Sequence, residues 1–169
     1  MMESGSFLNG FVTWSNGLVQ NFGYLGIFII SFVGSASIFL PVPTFTLIFV
    51  FGAILNPWLV GFSAAIGSAL GELTGYAVGL GGKKIIEKKN KRWLRIAEKW
   101  SEKYAIFWII LLFAVTPLPD DVIGIVAGAV NYDVKKFLLA SFTGKLILSL
   151  SLALGGFYGI RWVLTVFGV

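Results

Sequence analysis

The chain of 169 residues contains neither histidine nor cysteine. Their absence excludes His or Cys metal sites, thiol nucleophiles and imidazole acid–base catalysis, and with them most membrane hydrolases. No cofactor or metal site is expected, and no nucleophile motif points to an enzyme. Charge is also scarce, at 12% of residues, against 57% hydrophobic residues and a mean hydropathy of +0.87. That balance belongs to an all-α integral membrane protein rather than a soluble domain. The N-terminus, MMES, has no basic region ahead of an apolar core, so no cleaved signal peptide is expected.

What charge there is lies in blocks. Nine of the 13 basic residues fall between Lys83 and Lys103. By the positive-inside rule this linker, 83–103, faces the cytoplasm of a multi-pass cell-membrane protein. Ile86, Trp93, Ala97, Trp100 and Tyr104 recur among its lysines at helical intervals, which predicts a basic amphipathic helix drawn to anionic lipid headgroups rather than to nucleic acid.

Proline is rare too, and four of the five form two Pro-x-Pro pairs inside hydrophobic runs, Pro41–Pro43 and Pro117–Pro119. A proline removes a backbone donor and clashes with the preceding turn, so helices break at both pairs. In lipid such breaks survive only buried in protein or lining a wet cavity. The two stretches also match one another. Gly52-Ala53 follows the first pair as Gly128-Ala129 follows the second, at an offset of 76, and Asn56 and Phe62 match Asn131 and Phe137 at 75. We read an internal duplication: an interfacial N-terminal helix at 1–21, repeat 1 at 22–82, the linker, and repeat 2 at 104–169, all within one membrane domain.

Each repeat holds one run long enough to span the bilayer and one pair of runs that is not. The 12 residues after Pro43 rise only about 18 Å as a helix, and the nine apolar residues 122–130 less, against a hydrocarbon core of ~30 Å. Both predict re-entrant hairpins, although the 17 residues 24–40 just suffice for a true span on a competing count. One crossing per repeat is an odd number, so the second copy inserts upside down, giving an inverted-topology repeat with both termini outside. Within the first spanning run Gly67, Gly71, Gly75 and Gly79 form a small-residue stripe, serving either internal two-fold packing or a homodimer.

The site candidates are the ionisable residues inside these runs: Glu72, Asp120, Asp121 and Lys145, at the hairpin tips Pro41, Pro43, Pro117 and Pro119 or level with them. Glu72 precedes Lys83 by 11 residues and Lys145 follows Lys136 by nine, which sets both roughly 14–17 Å from the cytoplasmic boundary. Asp120 also reads as a simple helix cap, and Glu72 with Lys145 as a structural ion pair. Helix N-termini after each Pro-x-Pro would favour an anionic group in the same region.

Leu40-Pro41-Val42-Pro43, Gly71-Glu72 with Gly75-Tyr76 and Gly79, and Thr116-Pro117-Leu118-Pro119-Asp120-Asp121 leading to Val126-Ala127-Gly128 and Phe137 together resemble the DedA superfamily, also described as the VTT or SNARE-associated domain. The resemblance covers about 24–157. It implies opposed re-entrant hairpins and movement of lipid across the bilayer, as in flippases for undecaprenyl phosphate and phospholipid scramblases, with protons as coupling partners in some members. Where bacterial members carry an acid, a second acid and an arginine, Ser35, Thr44 and Ala114 stand here, so the chain resembles a divergent branch in which Lys145 supplies the cation. The expected function is a transporter that moves an anionic-headgroup lipid between leaflets. A proton-coupled exporter of small or cationic solutes is the alternative, and a structural protein organising partners through the Gly stripe and basic loop is the third class.

Overall fold

The computed structural model describes residues 3–37, 43–89, 105–116 and 121–167, and these form helices with no strand among them. In order they are α1 (Glu3–Phe22), α2 (Tyr24–Ala36), α3 (Thr44–Ile54), α4 (Pro57–Gly71), α5 (Leu73–Lys89), α6 (Ala105–Val115), α7 (Asp121–Ala129) and α8 (Val134–Phe167). Part of the basic linker thus continues α5, and the rest of it, 90–103, lies outside the described residues.

The first hairpin runs out and back. The Tyr24 hydroxyl at the start of α2 accepts from the backbone N–H of Asn56, just past the end of α3, at 3.3 Å. Its two legs, of 13 and 11 residues, are about 20 and 17 Å long, so neither reaches across a ~30 Å core. The α1 helix packs back along α2: a Cβ on Gly26 would fall against the Leu18 carbonyl. The turn between them is Gly23, whose φ of 57° suits a residue without Cβ.

Both long helices start from a side-chain cap. The Asn56 Oδ1 accepts from the backbone N–H groups of Trp58 and Leu59, with Pro57 in the first helical position, where its missing donor costs nothing. The Asp133 Oδ1 accepts likewise from Lys135 and Lys136, at 2.9 and 3.0 Å. These amide bonds and the two lysine charges hold the Asp133 carboxyl below the usual carboxylate range, against a smaller opposing effect of burial. A lowered carboxyl stabilises the fold above its unfolded-state pKa, and that contribution disappears as pH falls through the lowered value. Asp133→Asn should keep the cap but flatten this acid limb of a stability–pH curve, whereas Asn56→Ala should cost about 0.5–2 kcal/mol at every pH.

Helix α4 passes into α5 through Glu72, whose backbone stays right-handed helical. The expected single span is interrupted by a turn at Glu72, across which Glu72 N–H still donates to the Ser68 carbonyl and Tyr76 N–H to the Glu72 carbonyl. On the other side Val134–Trp162 of α8 is, among the described residues, the one uninterrupted helix long and apolar enough to cross a membrane. As a whole α8 continues to Phe167, and its aromatic Tyr158 and Trp162 are exposed while Arg161 sits 4.5 Å over the Phe157 ring. That mixture suits a headgroup boundary.

The packing scheme has a two-fold pattern. Within each repeat the first hairpin leg lies on that repeat's long helix: α2 on α4, where Gly67 meets Phe28, and α6 on α8, where Gly144 meets Leu111 and Ala114. Between repeats the second leg lies on the other's long helix. Gly52 of α3 meets the Ala153 backbone of α8, and Gly128 of α7 meets the Tyr76 backbone of α5; Gly156 meets Phe49, and Gly79 meets Ile125. The two contacts of α3 map onto the two of α7 by adding 76 in the hairpin leg and subtracting 77 in the long helix, a register that the first-leg contacts do not share.

That register differs from the expected one. The hairpin legs match at 76 as anticipated, but the long helices match at 77, cap on cap, Asn56 on Asp133. Asn131 is not a cap; it takes the left-handed turn after α7, with φ 53°, a conformation asparagine tolerates. Phe137, fully buried, therefore corresponds to buried Val60, and exposed Phe62 to exposed Leu139.

Candidate functional site

On α4 and α8 small and polar side chains are buried, while bulky apolar ones are exposed around the fold. Ala64, Ala65 and Ala69 are buried beside Ser68, Ser141 and Ser149, whereas Leu25, Ile54, Trp108, Leu112 and Leu139 are exposed. Glycine and alanine let the backbones approach, which is how helices associate when lipid offers no hydrophobic gain.

Two charged side chains lie in that interior. Glu72 and Lys145 are each 95% buried, and the Lys145 Nζ stands 2.9 Å from Glu72 Oε1. The sequence separates them by 73 positions; the antiparallel crossing of α4 on α8 joins them. Gly61 lies in that crossing, where a Cβ would press on the Leu150 side chain. Two partly compensated charges away from water are retained at considerable cost, which marks the place as specified rather than incidental.

Around the pair the hairpin contributes polar groups. Gly71 abuts Ser35 and Ala36 at the end of α2, and the Thr74 Oγ1 donates to the Ala36 and Gly71 carbonyls, satisfying acceptors that the helix ends leave open. Thr44 opens α3 beside Gly34, with its hydroxyl buried and no hydrogen-bond partner among the described residues. Pro43, the residue before it, provides no side-chain cap. A helix start without such a cap favours negative charge.

Of the expected site residues, the structure brings Glu72 and Lys145 together and seats Pro43 at the head of α3. Asp121 opens α7. Its side chain, and Asp120, Pro41, Pro117 and Pro119, lie outside the described residues. Thr44 entered the sequence reading only as a departure from the family pattern, and its buried hydroxyl has no signal in a string of apolar residues. The glycine stripe divides. Gly67 and Gly71 serve α2, while Gly79 serves α7, with Gly75 beside Gly124. A four-residue step advances a helix by about 400°, so the stripe drifts ~40° per step and faces two neighbours in turn.

Comparison with known proteins follows the same outline. A VTT-domain family profile matches residues 42–158, from the hairpin tip to the aromatic end of α8. An uncharacterized protein of Methanocaldococcus jannaschii is 28% identical over 134 residues, covering 77% of this chain and 81% of its own. No solved structure matches. With the matched region running from the second leg of the first hairpin through α4–α7 and most of α8, well over half of the chain, the chain belongs to the VTT-domain (DedA) family of membrane proteins.

Proposed function

We propose that the protein is a multi-pass transporter, not an enzyme, that moves an anionic-headgroup lipid between the leaflets of the cell membrane. The observation that carries this reading is the Glu72–Lys145 pair buried where α4 crosses α8. A charge held in an apolar interior marks a translocation path more often than a stability device, since well-packed apolar residues would stabilise as well or better.

The architecture proposed for it is the inverted repeat. The reciprocal glycine contacts support a two-fold axis between the repeats, and short returning hairpins from opposite faces thin the barrier at their tips. The uncapped start of α3 and the Lys145 ammonium supply positive charge for a phosphate, and Glu72, with Asp121 at the head of α7, supplies carboxylates able to exchange protons. The basic linker faces the cytoplasm and its anionic lipids.

One observation favours the second reading, a proton-coupled exporter of cationic solutes: Glu72 stands at the junction of α4 and α5, and the C-terminal ends of interrupted membrane helices coordinate cations. Fluorescent-phospholipid translocation in liposomes containing the purified protein separates the two. The lipid reading expects translocation in the wild type and at least a tenfold loss in Lys145→Ala and Asp121→Asn. A Lys145→Ala protein that moves lipid normally, or that exports cations better, counts for the exporter.

A further inference from the structure

The ion pair occupies only one of two equivalent places. Adding 77 to a position in α4 gives its counterpart in α8, so Leu70 corresponds to Ile147 and the two-fold axis passes between them. Glu72 lies two residues past Leu70 and Lys145 two residues before Ile147, about 3 Å from the axis along each helix. Their counterparts are Ser149 and Ser68. Both serines are buried, at 2% and 5% exposure, on the same crossing and about 3 Å to the other side of the axis. The crossing therefore holds four polar residues, one turn apart in pairs, with the charges all toward the end of the molecule that carries Lys135 and Lys136.

We infer that Ser68 and Ser149 are a second, uncharged seat for the same ion pair, and that the seat holding the charges decides which face the site opens to. The inference rests on the inverted-repeat reading above. In a scaffold whose halves are related by a two-fold axis in the membrane plane, the conformer open to one face and the conformer open to the other are the same structure with the repeats exchanged. Their energies are then equal unless the sequences differ. A buried charge pair displaced from the axis is the largest difference at this crossing, because a misplaced buried charge costs more than any exchange of apolar side chains. A serine of similar burial presents a hydroxyl but no charge, which leaves the second seat polar without competing for the bias.

The absence of cysteine makes the test direct. Ser37 and Thr116 close the first legs of the two hairpins, each hydroxyl donating to the carbonyl four residues back, and each position serves as a single-cysteine reporter. Reaction rates with a membrane-impermeant thiol reagent are read in liposomes for three backgrounds: wild type, Glu72→Ser with Lys145→Ser, and the exchange variant combining those with Ser68→Lys and Ser149→Glu. Removing the pair gives the intrinsic rate ratio of the two reporters. The wild type should depart from it by about fivefold or more, the range of ordinary conformational coupling, and the exchange variant should depart in the opposite direction by a similar factor. An exchange variant that keeps the wild-type ratio overturns the inference, and so does one that fails to fold while the pairless variant folds, since equivalent seats must accept the same pair. A pairless variant with the wild-type ratio also overturns it. Either failure leaves the opposed arrangement of the repeats intact if the sidedness labelling described below holds, so the two readings fall separately.

Discussion

Lys145→Ala should lower the stability of the purified protein by about 3–5 kcal/mol, the largest loss from any single substitution in the described core. The reason is the partner left behind. Glu72 keeps its carboxylate at 5% exposure, and no surface water replaces the ammonium 2.9 Å away. The double variant Glu72→Gln with Lys145→Met should recover most of that loss, because it removes both charges and leaves side chains of similar volume. Denaturant or thermal unfolding in detergent checks the pattern. A double variant as unstable as the single one would mean that packing around the Lys145 stem, not charge, holds the crossing together. If the double variant is stable yet transports nothing, the pair serves translocation and not the fold.

The second large effect is expected where the two repeats interlock. A methyl group at Gly128 meets the Tyr76 carbonyl oxygen, and one at Gly156 meets the Phe49 carbonyl oxygen. Backbone cannot yield as a flexible side chain does, so Gly128→Ala and Gly156→Ala should each cost about 1–3 kcal/mol, and leucine at either position more. The two-fold pattern adds a stricter expectation, that Gly79→Ala and Gly156→Ala cost similar amounts, being counterparts. Gly82→Ala is the control: nothing lies within 4 Å, so helix propensity alone operates and should stabilise by up to about 1 kcal/mol. Equal effects at all four glycines would remove the argument that these contacts define the fold.

Much of the architecture is legible in the sequence, for identifiable reasons. Proline pairs inside apolar runs announce where helices end, because backbone sterics are local: α2 stops at Ala36 and α3 starts at Thr44, and α6 stops at Val115 and α7 starts at Asp121. Counting residues from Lys83 and Lys136 places Glu72 and Lys145 at one depth, and they do meet. Depth, however, says nothing of direction around a helix. That the two side chains face each other depends on the crossing at Gly61, which no periodicity in either helix reveals. The letters of the sequence misalign the long helices by two residues for a similar reason. Identical letters, Asn56 with Asn131, outweigh equivalent jobs, Asn56 with Asp133, since a cap can be either residue while a left-handed turn also prefers asparagine. Only the corrected register shows Ser68 and Ser149 as counterparts of the charged pair. The drift of the glycine stripe from α2 to α7 was implicit in its four-residue spacing, but which neighbours it meets was not.

Everything proposed about transport depends on the two repeats standing in opposite senses across one membrane, and that is tested most directly by the sidedness of three positions. Asn21, beside the Tyr24–Asn56 end of the first hairpin, lies at one end of the fold, and Gly82 and Val134 lie at the other. Single-cysteine variants at these positions, treated with a membrane-impermeant maleimide before and after permeabilising the cells, give the answer. The account predicts that Asn21→Cys reacts in intact cells, and that Gly82→Cys and Val134→Cys react only after permeabilisation. Labelling of Asn21→Cys and Gly82→Cys from the same face, or of Gly82→Cys and Val134→Cys from opposite faces, would contradict it.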